Sequence, residues 1–239
     1  MSWVIRGGAS ADLEELQALF DAEPELVSGE GTTSQVYRGQ YQQRSVFLKI
    51  SRKERWKVLL PRLLVARCWC SSVDLEARNL LRLQDAGIPV IPILGHGSRY
   101  VLGVPVSGVM LSAAVAGVSL EDALMEGRSA RLELAQGYGR VAARLHLMGG
   151  YEPLRAKDFM VENGQLMLLD REKPLGAPGW RQKRAMTSLE RAWFRNRRSG
   201  LRLDQRQCDA WLESYCSEAG LAGKVADRVK VVVRRYCGD

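Results

Sequence analysis

The stretch HLMGGYEPLRAKDFMVENGQLMLLDRE, residues 146–172, decides the fold. It opens on a helix end stopped by Gly149-Gly150, runs on as an irregular loop, and closes with two short apolar runs at 159–161 and 166–169. Glu162-Asn163-Gly164-Gln165 joins the runs. Asn-Gly between β-type segments is the strongest short-range hairpin signal, because both residues tolerate positive φ. The second run ends on an acid, Asp170.

The rest of the 239-residue chain supplies enough apolar sequence (46%) for a full core, as one large domain or two small lobes. No apolar run reaches the roughly 18 residues that a membrane-spanning helix needs. The first fifteen residues, MSWVIRGGASADLEE, lack a hydrophobic signal core and carry acids early, which predicts a cytoplasmic protein. The five cysteines (Cys68, Cys70, Cys208, Cys216 and Cys237) have no zinc-like paired spacing and read as reduced thiols. A net charge of +8 points to an anionic partner (a nucleotide, a nucleic acid or an acidic membrane surface) or to a basic solvated face. No recognisable nucleic-acid motif accompanies the charge.

Upstream, residues 11–21 pattern as a short amphipathic helix stopped by Pro24. A β-hairpin follows, entered through the turn Gly29-Glu30-Gly31-Thr32-Thr33-Ser34, with further turn-like positions at Gly39-Gln40 and Gln42-Gln43-Arg44. A glycine turn lets backbone N–H groups approach phosphates, since glycine has no Cβ in the way. Lys49, in the β-type run VFLKI, is then either a phosphate-binding lysine or an edge-strand lysine. Residues 52–70 alternate basic with aromatic and apolar side chains, which suits an anionic membrane surface or a packed helix with a wet basic face. Residues 73–86 form a helix closed by Gly87, with Glu76 in its first turns. That glutamate either pairs with Lys49 or answers the helix dipole. Two more strands, within 88–97 and 99–111, complete a five-stranded lobe, and helical pattern takes over around residues 104–108.

Downstream the pattern is helical. Ser119 is positioned to cap a short helix, residues 130–148 form a buried helix, and three more helices occupy 188–198, 204–218 and 223–236, the first and last of them basic.

These residues resemble the lipopolysaccharide-core kinases, the Kdo and heptose kinases of Gram-negative bacteria, within the protein-kinase-like superfamily. The resemblance runs from about residue 27 to 215. Its anchors are the glycine turn ahead of Lys49, EARNLLRLQDAGIPV (76–90), RLHLMGGYEPLRAKDFMV (144–161) and LLDRE (168–172). It implies an α+β, two-lobe fold: an N-lobe at 1–104, a small antiparallel sheet with one main helix, and a mostly helical C-lobe at 105–239. It also implies an ATP site, with Gly29, Gly31 and Thr32 in the phosphate turn, Lys49 on the phosphates and Glu76 orienting Lys49. Asp158, where the family carries a loop Asn, and Asp170 become the Mg²⁺ ligands. His146 reads as packed.

The family's catalytic aspartate lies five residues before the loop Asn. Counting back from Asp158 reaches Pro153, which cannot accept a proton, and the expected H-x-D is Tyr151-Glu152-Pro153. Sliding the register to Asp158-x4-Asn163 leaves too little chain for the hairpin, so Glu152 is the remaining candidate base. Loss of the base costs a typical 10²–10⁴-fold in rate without abolishing phosphoryl transfer, which rests on positioning and electrostatics. The expected function is ATP-dependent phosphorylation of an inner-core sugar hydroxyl on an anionic glycolipid, at the inner face of the membrane. The alternative is a nucleotide-binding pseudokinase with a regulatory or scaffolding role.

Overall fold

The computed structural model describes residues 2–7, 25–30, 32–54, 69–126 and 131–237. The expected helix at 11–21, Gly31, and residues 55–68 of the basic-aromatic stretch lie outside the described residues. The chain divides into two compact units.

The first unit comprises Met1–Arg82, Ile91–Val115 and Asp170–Pro174. It is built on a six-stranded antiparallel sheet in the order β1-β5-β6-β4-β3-β2. The strands are β1 (Ser2–Gly7), β2 (Glu25–Ser28), β3 (Ser34–Tyr41), β4 (Arg44–Ser51), β5 (Ile93–Val101) and β6 (Val104–Ala113). Side chains alternate along a strand, and β4 uses that alternation to bury Val46, Leu48 and Ile50 against Tyr41, Val109 and Leu111. Phe47 and Lys49 consequently point to the opposite face. Helix α1 (Ser72–Asp85) starts where the Ser71 hydroxyl accepts the Asp74 N–H at 3.2 Å. It ends in a Schellman motif, with Ile88 N–H on Leu83 O and Gly87 N–H on Gln84 O, because Gly87 takes φ +76 without a Cβ penalty.

Four details differ from the sequence expectation. Strand β1, at the sheet edge, was not expected at all. Gly39-Gln40 lies inside β3, and the turn is Gln42-Gln43, both at positive φ (48° and 62°). Leu102-Gly103, not the region near residue 98, turns β5 into β6. The β-type run does not give way to helix at 104–108. It continues to Ala113, because Val109 and Leu111 fill the sheet core.

The second unit comprises Leu83–Val90, Ala116–Leu169 and Leu175–Asp239. It contains β7 (Val118–Ser119), α2 (Leu120–Met125), α3 (Arg131–Leu147), the hairpin β8 (Phe159–Glu162) and β9 (Gln165–Leu168), then α4 (Gln182–Ser199), α5 (Gln205–Glu218) and α6 (Gly223–Arg234). Ser119 caps α2 as expected, its hydroxyl accepting the Asp122 N–H at 3.1 Å. Asn163 and Gly164 turn the hairpin at φ 51° and 78°. Helices α3 and α5 pack closely because position 139 is glycine: a Cβ there would lie 2.4 Å from Trp211 O. Tyr138, Phe159, Trp193, Trp211 and Tyr215 form a continuous aromatic core, with ring centroids 5.0–6.2 Å apart. No described helix is long and apolar enough to cross a membrane.

Candidate functional site

Lys49 is not on an edge. Strand β4 lies between β6 and β3, so the lysine emerges from the middle of the sheet, on the face away from the Leu48 core. Its ammonium reaches both oxygens of Glu76 on α1, at 2.6 and 2.8 Å. The edge-strand role for Lys49 is thereby excluded, and Glu76 pairs with Lys49. Glu172 Oε1 stands 3.9 Å from the same ammonium. Burial alone would push the Lys49 pKa down, but the carboxylates of Glu76, Asp170 and Glu172 outweigh it, and the pKa is raised. Glu76 is buried, and that burial pushes its carboxyl up to about 7 against the pull of Lys49, with Asp170 and Glu172 adding to the rise. The lysine therefore stays charged, and Glu76 is the member of the pair that answers to pH.

Helix α1 is held where it can deliver Glu76. Asp74, in the first turn of the helix, is fully buried and accepts hydrogen bonds from Ser98 (2.7 Å) and Arg78 (3.0 and 3.2 Å), and its Oδ1 lies 2.6 Å from His96 Nδ1. Burial works against the Asp74 charge, but these partners prevail and hold the carboxyl below its ordinary value.

The turn at Gly29 closes with Thr32 N–H on Gly29 O at 2.9 Å. Gly29 sits at φ +89, and a Cβ would lie 2.2 Å from Ser34 O, so the turn requires glycine. The Thr32 hydroxyl lies within donor reach of Gly29 O and Ser34 O, at 2.7 and 2.6 Å. A cavity of about 240 Å³ opens beside this turn, lined among others by Thr32, Ser34, Lys49, Lys53, Glu76 and Glu172. The Ser34 hydroxyl oxygen is buried there with no hydrogen-bond partner among the described residues. An orphaned hydroxyl and lysine ammonium groups lining one cavity fit a phosphate-bearing ligand, which would complete the hydrogen bonding. Glu172, Ser34 and Lys53 were not singled out from sequence. Only the spacing of Glu172, two residues past Asp170, hinted at its place.

In the second unit, the loop after α3 is pinned by side chains. Gly150 N–H returns to Leu145 O at 2.7 Å, which is the expected Gly149-Gly150 stop. His146 is buried with both ring nitrogens engaged, Nδ1 at 2.6 Å from the Tyr215 hydroxyl and Nε2 at 3.1 Å from Ser188 Oγ, so it is packed. Tyr151 stacks on it at 5.2 Å, donates to Gly179 O and accepts the Arg181 N–H, both at 2.7 Å. Ala156 N–H donates to Asn196 Oδ1 and Tyr138 OH donates to Leu154 O, which fixes the backbone on either side of Arg155. Glu152, the candidate base, is half-buried, and its carbonyl accepts Ser188 Oγ at 3.4 Å. The Asp158 carboxylate is buried and committed: Arg155 Nε and Nη2 reach Oδ1 at 2.9 and 2.6 Å, and Arg155 N–H reaches Oδ2 at 2.9 Å.

Among the described residues, no three His, Cys, Asp or Glu side chains group as a metal cage. Mg²⁺ needs no such cage, since it usually takes one or two carboxylates and fills its octahedron with water and substrate phosphates. The acid at 170, close enough for its charge to act on Lys49, fits that role. Asp158, closed by Arg155, does not fit it in this arrangement.

No family model and no curated protein matches the chain. Among solved structures, WaaP in complex with acyl carrier protein superposes with a TM-score of 0.65 at 15% identity, covering 92% of this chain and 90% of that one. WbdD (TM-score 0.48, 15% identity, 89% and 50% covered) and Rad53 1–466 in complex with AMP-PNP (0.43, 17%, 88% and 52%) also align. The likeness to WaaP establishes the α+β, protein-kinase-like fold of this chain.

Proposed function

We propose that this protein is an ATP- and Mg²⁺-dependent phosphotransferase of the lipopolysaccharide-kinase type, transferring the γ-phosphate to a sugar hydroxyl of an inner core or a related acceptor. The observation that carries the reading is the Lys49–Glu76 ion pair (2.6 Å) beside the glycine turn, together with the shared fold of WaaP, a lipopolysaccharide core heptose kinase. Lys49 binds phosphate oxygens, Glu76 keeps it aimed, Thr32 braces the turn through its hydroxyl on Gly29 O and Ser34 O, and Ser34 offers a hydroxyl. Asp170 would hold Mg²⁺, which supplies charge neutralisation between the phosphates when bound. Glu152 is the group assigned to receive the acceptor's proton, with Pro153 unable to do so. Arg155 and Asp158 stiffen the loop. The exposed face of α4, carrying Lys183, Arg184, Arg191, Arg195 and Arg198 around Phe194, suits an anionic glycolipid at the cytoplasmic face of a membrane.

A second reading, a nucleotide-binding pseudokinase, draws on two observations: proline at the base position and an Asp158 carboxylate closed by Arg155. Transfer of labelled γ-phosphate from ATP to lipopolysaccharide inner core separates the two. The enzyme reading expects labelled acceptor with the wild type, about 10²–10⁴-fold slower labelling with Glu152→Gln, and none with Lys49→Ala. ATP binding without labelled product supports the pseudokinase.

A further inference from the structure

Asn79 follows Glu76 by three residues on α1, so the two side chains share a helix face. It is 2% exposed, and its Nδ2 donates both hydrogens, to Arg171 O and to Lys173 O, each at 2.8 Å. The two carbonyls bracket a single residue, Glu172, whose carboxylate stands beside Lys49. These residues all belong to the first unit, although 170–174 is remote in sequence from the rest of it. Among side chains of this shape the carboxamide alone can do this: its –NH₂ carries two donors, an aspartate carboxylate none, and leucine none.

From this we infer that Asn79 is a positioning residue: it locks the acid segment 170–173 onto the helix that carries Glu76, so Glu172 and Asp170 keep their station at Lys49. This inference rests on the nucleotide-site reading and adds a consequence to it. Lys49 then faces three carboxylates, an excess of negative charge that repels bare triphosphate and admits it with a divalent cation. Asn79 thus sets how strongly nucleotide binding depends on Mg²⁺. A merely structural asparagine would lower thermal stability and leave that dependence alone.

The test uses the full chain as wild type, Asn79→Leu and Asn79→Ser, the last keeping one short donor in case the leucine variant fails to fold. Two quantities are read: tryptic cleavage at the Arg171–Glu172 bond, and ATP affinity with Mg²⁺ against ATP affinity in EDTA. Loss of two buried hydrogen bonds should speed cleavage at Arg171 at least about tenfold, other sites keeping their rates. It should also cut the Mg²⁺-to-EDTA affinity ratio about tenfold, with Asn79→Ser in between. Unchanged cleavage at Arg171 in either folded variant overturns the inference, as does an unchanged affinity ratio in a wild type that binds nucleotide. Faster cleavage at Arg171 in a chain whose wild type binds no nucleotide supports the lock and sinks the nucleotide-site reading instead.

Discussion

At the scale of single residues, the Lys49–Glu76 contact has a pH signature. Glu76 rises from an ordinary 4.5 to about 7 on folding, so between those values the folded chain holds a proton that the unfolded chain has released. Stability contributed by that proton is complete below about pH 4.5 and is lost as pH rises toward 7. Unfolding by urea should therefore show the wild type losing up to about 3 kcal/mol across the window, with Glu76→Gln lacking that component. Equal slopes in the two proteins would contradict the assignment. The site was partly legible at this scale. Lys49 and Glu76 follow from a lysine closing a β-type run and a glutamate opening the next helix, and the pairing settled what spacing left open. Glu172, Asn79 and Ser34 were not legible, because their roles depend on chain segments far apart in sequence meeting in one unit. Asp158 reads from sequence as a metal ligand on the loop. Its capture by Arg155 is a matter of local backbone geometry that residue type does not specify.

At the scale of elements, turns show why sequence reading succeeds in one hairpin and slips in the next. Asn163-Gly164 announces its turn, since both residues accept positive φ readily. Gln42-Gln43 and Leu102-Gly103 adopt the same two-residue geometry with glutamine and leucine at φ 48–62°, and there the pairing of the flanking strands overrides local preference. Strand β6 was cut short for a similar reason: Ser107 and Gly108 interrupt its apolar pattern, yet the sheet carries the strand through them. Helix packing makes its own prediction. Gly139 lets α3 approach the Trp211 backbone, where a Cβ would stand 2.4 Å from the carbonyl. Gly139→Ala should destabilise the chain by about 1–3 kcal/mol through overpacking, despite alanine's better helix propensity. A melting temperature at or above that of the wild type would show that the two helices have slack.

At the scale of the whole molecule, contacts and chain order disagree instructively. The division expected at residue 104 treats the lobes as consecutive, whereas the first unit recruits Ile91–Val115 and then Asp170–Pro174. That late return brings Asp170 and Glu172 to the unit that already holds Lys49 and Glu76. Nearly every component assigned to nucleotide and metal therefore belongs to one compact body, and the claim that this body binds Mg-ATP is the one on which the proposed function depends. Calorimetric titration of Mg-ATP into the wild type and Asp170→Ala tests it most directly. The account predicts saturable one-to-one binding by the wild type and at least about tenfold weaker binding by the variant, the loss of one charge-assisted ligand costing about 1.5–3 kcal/mol. Absence of binding by the folded wild type, or equal affinity in the two proteins, would contradict it.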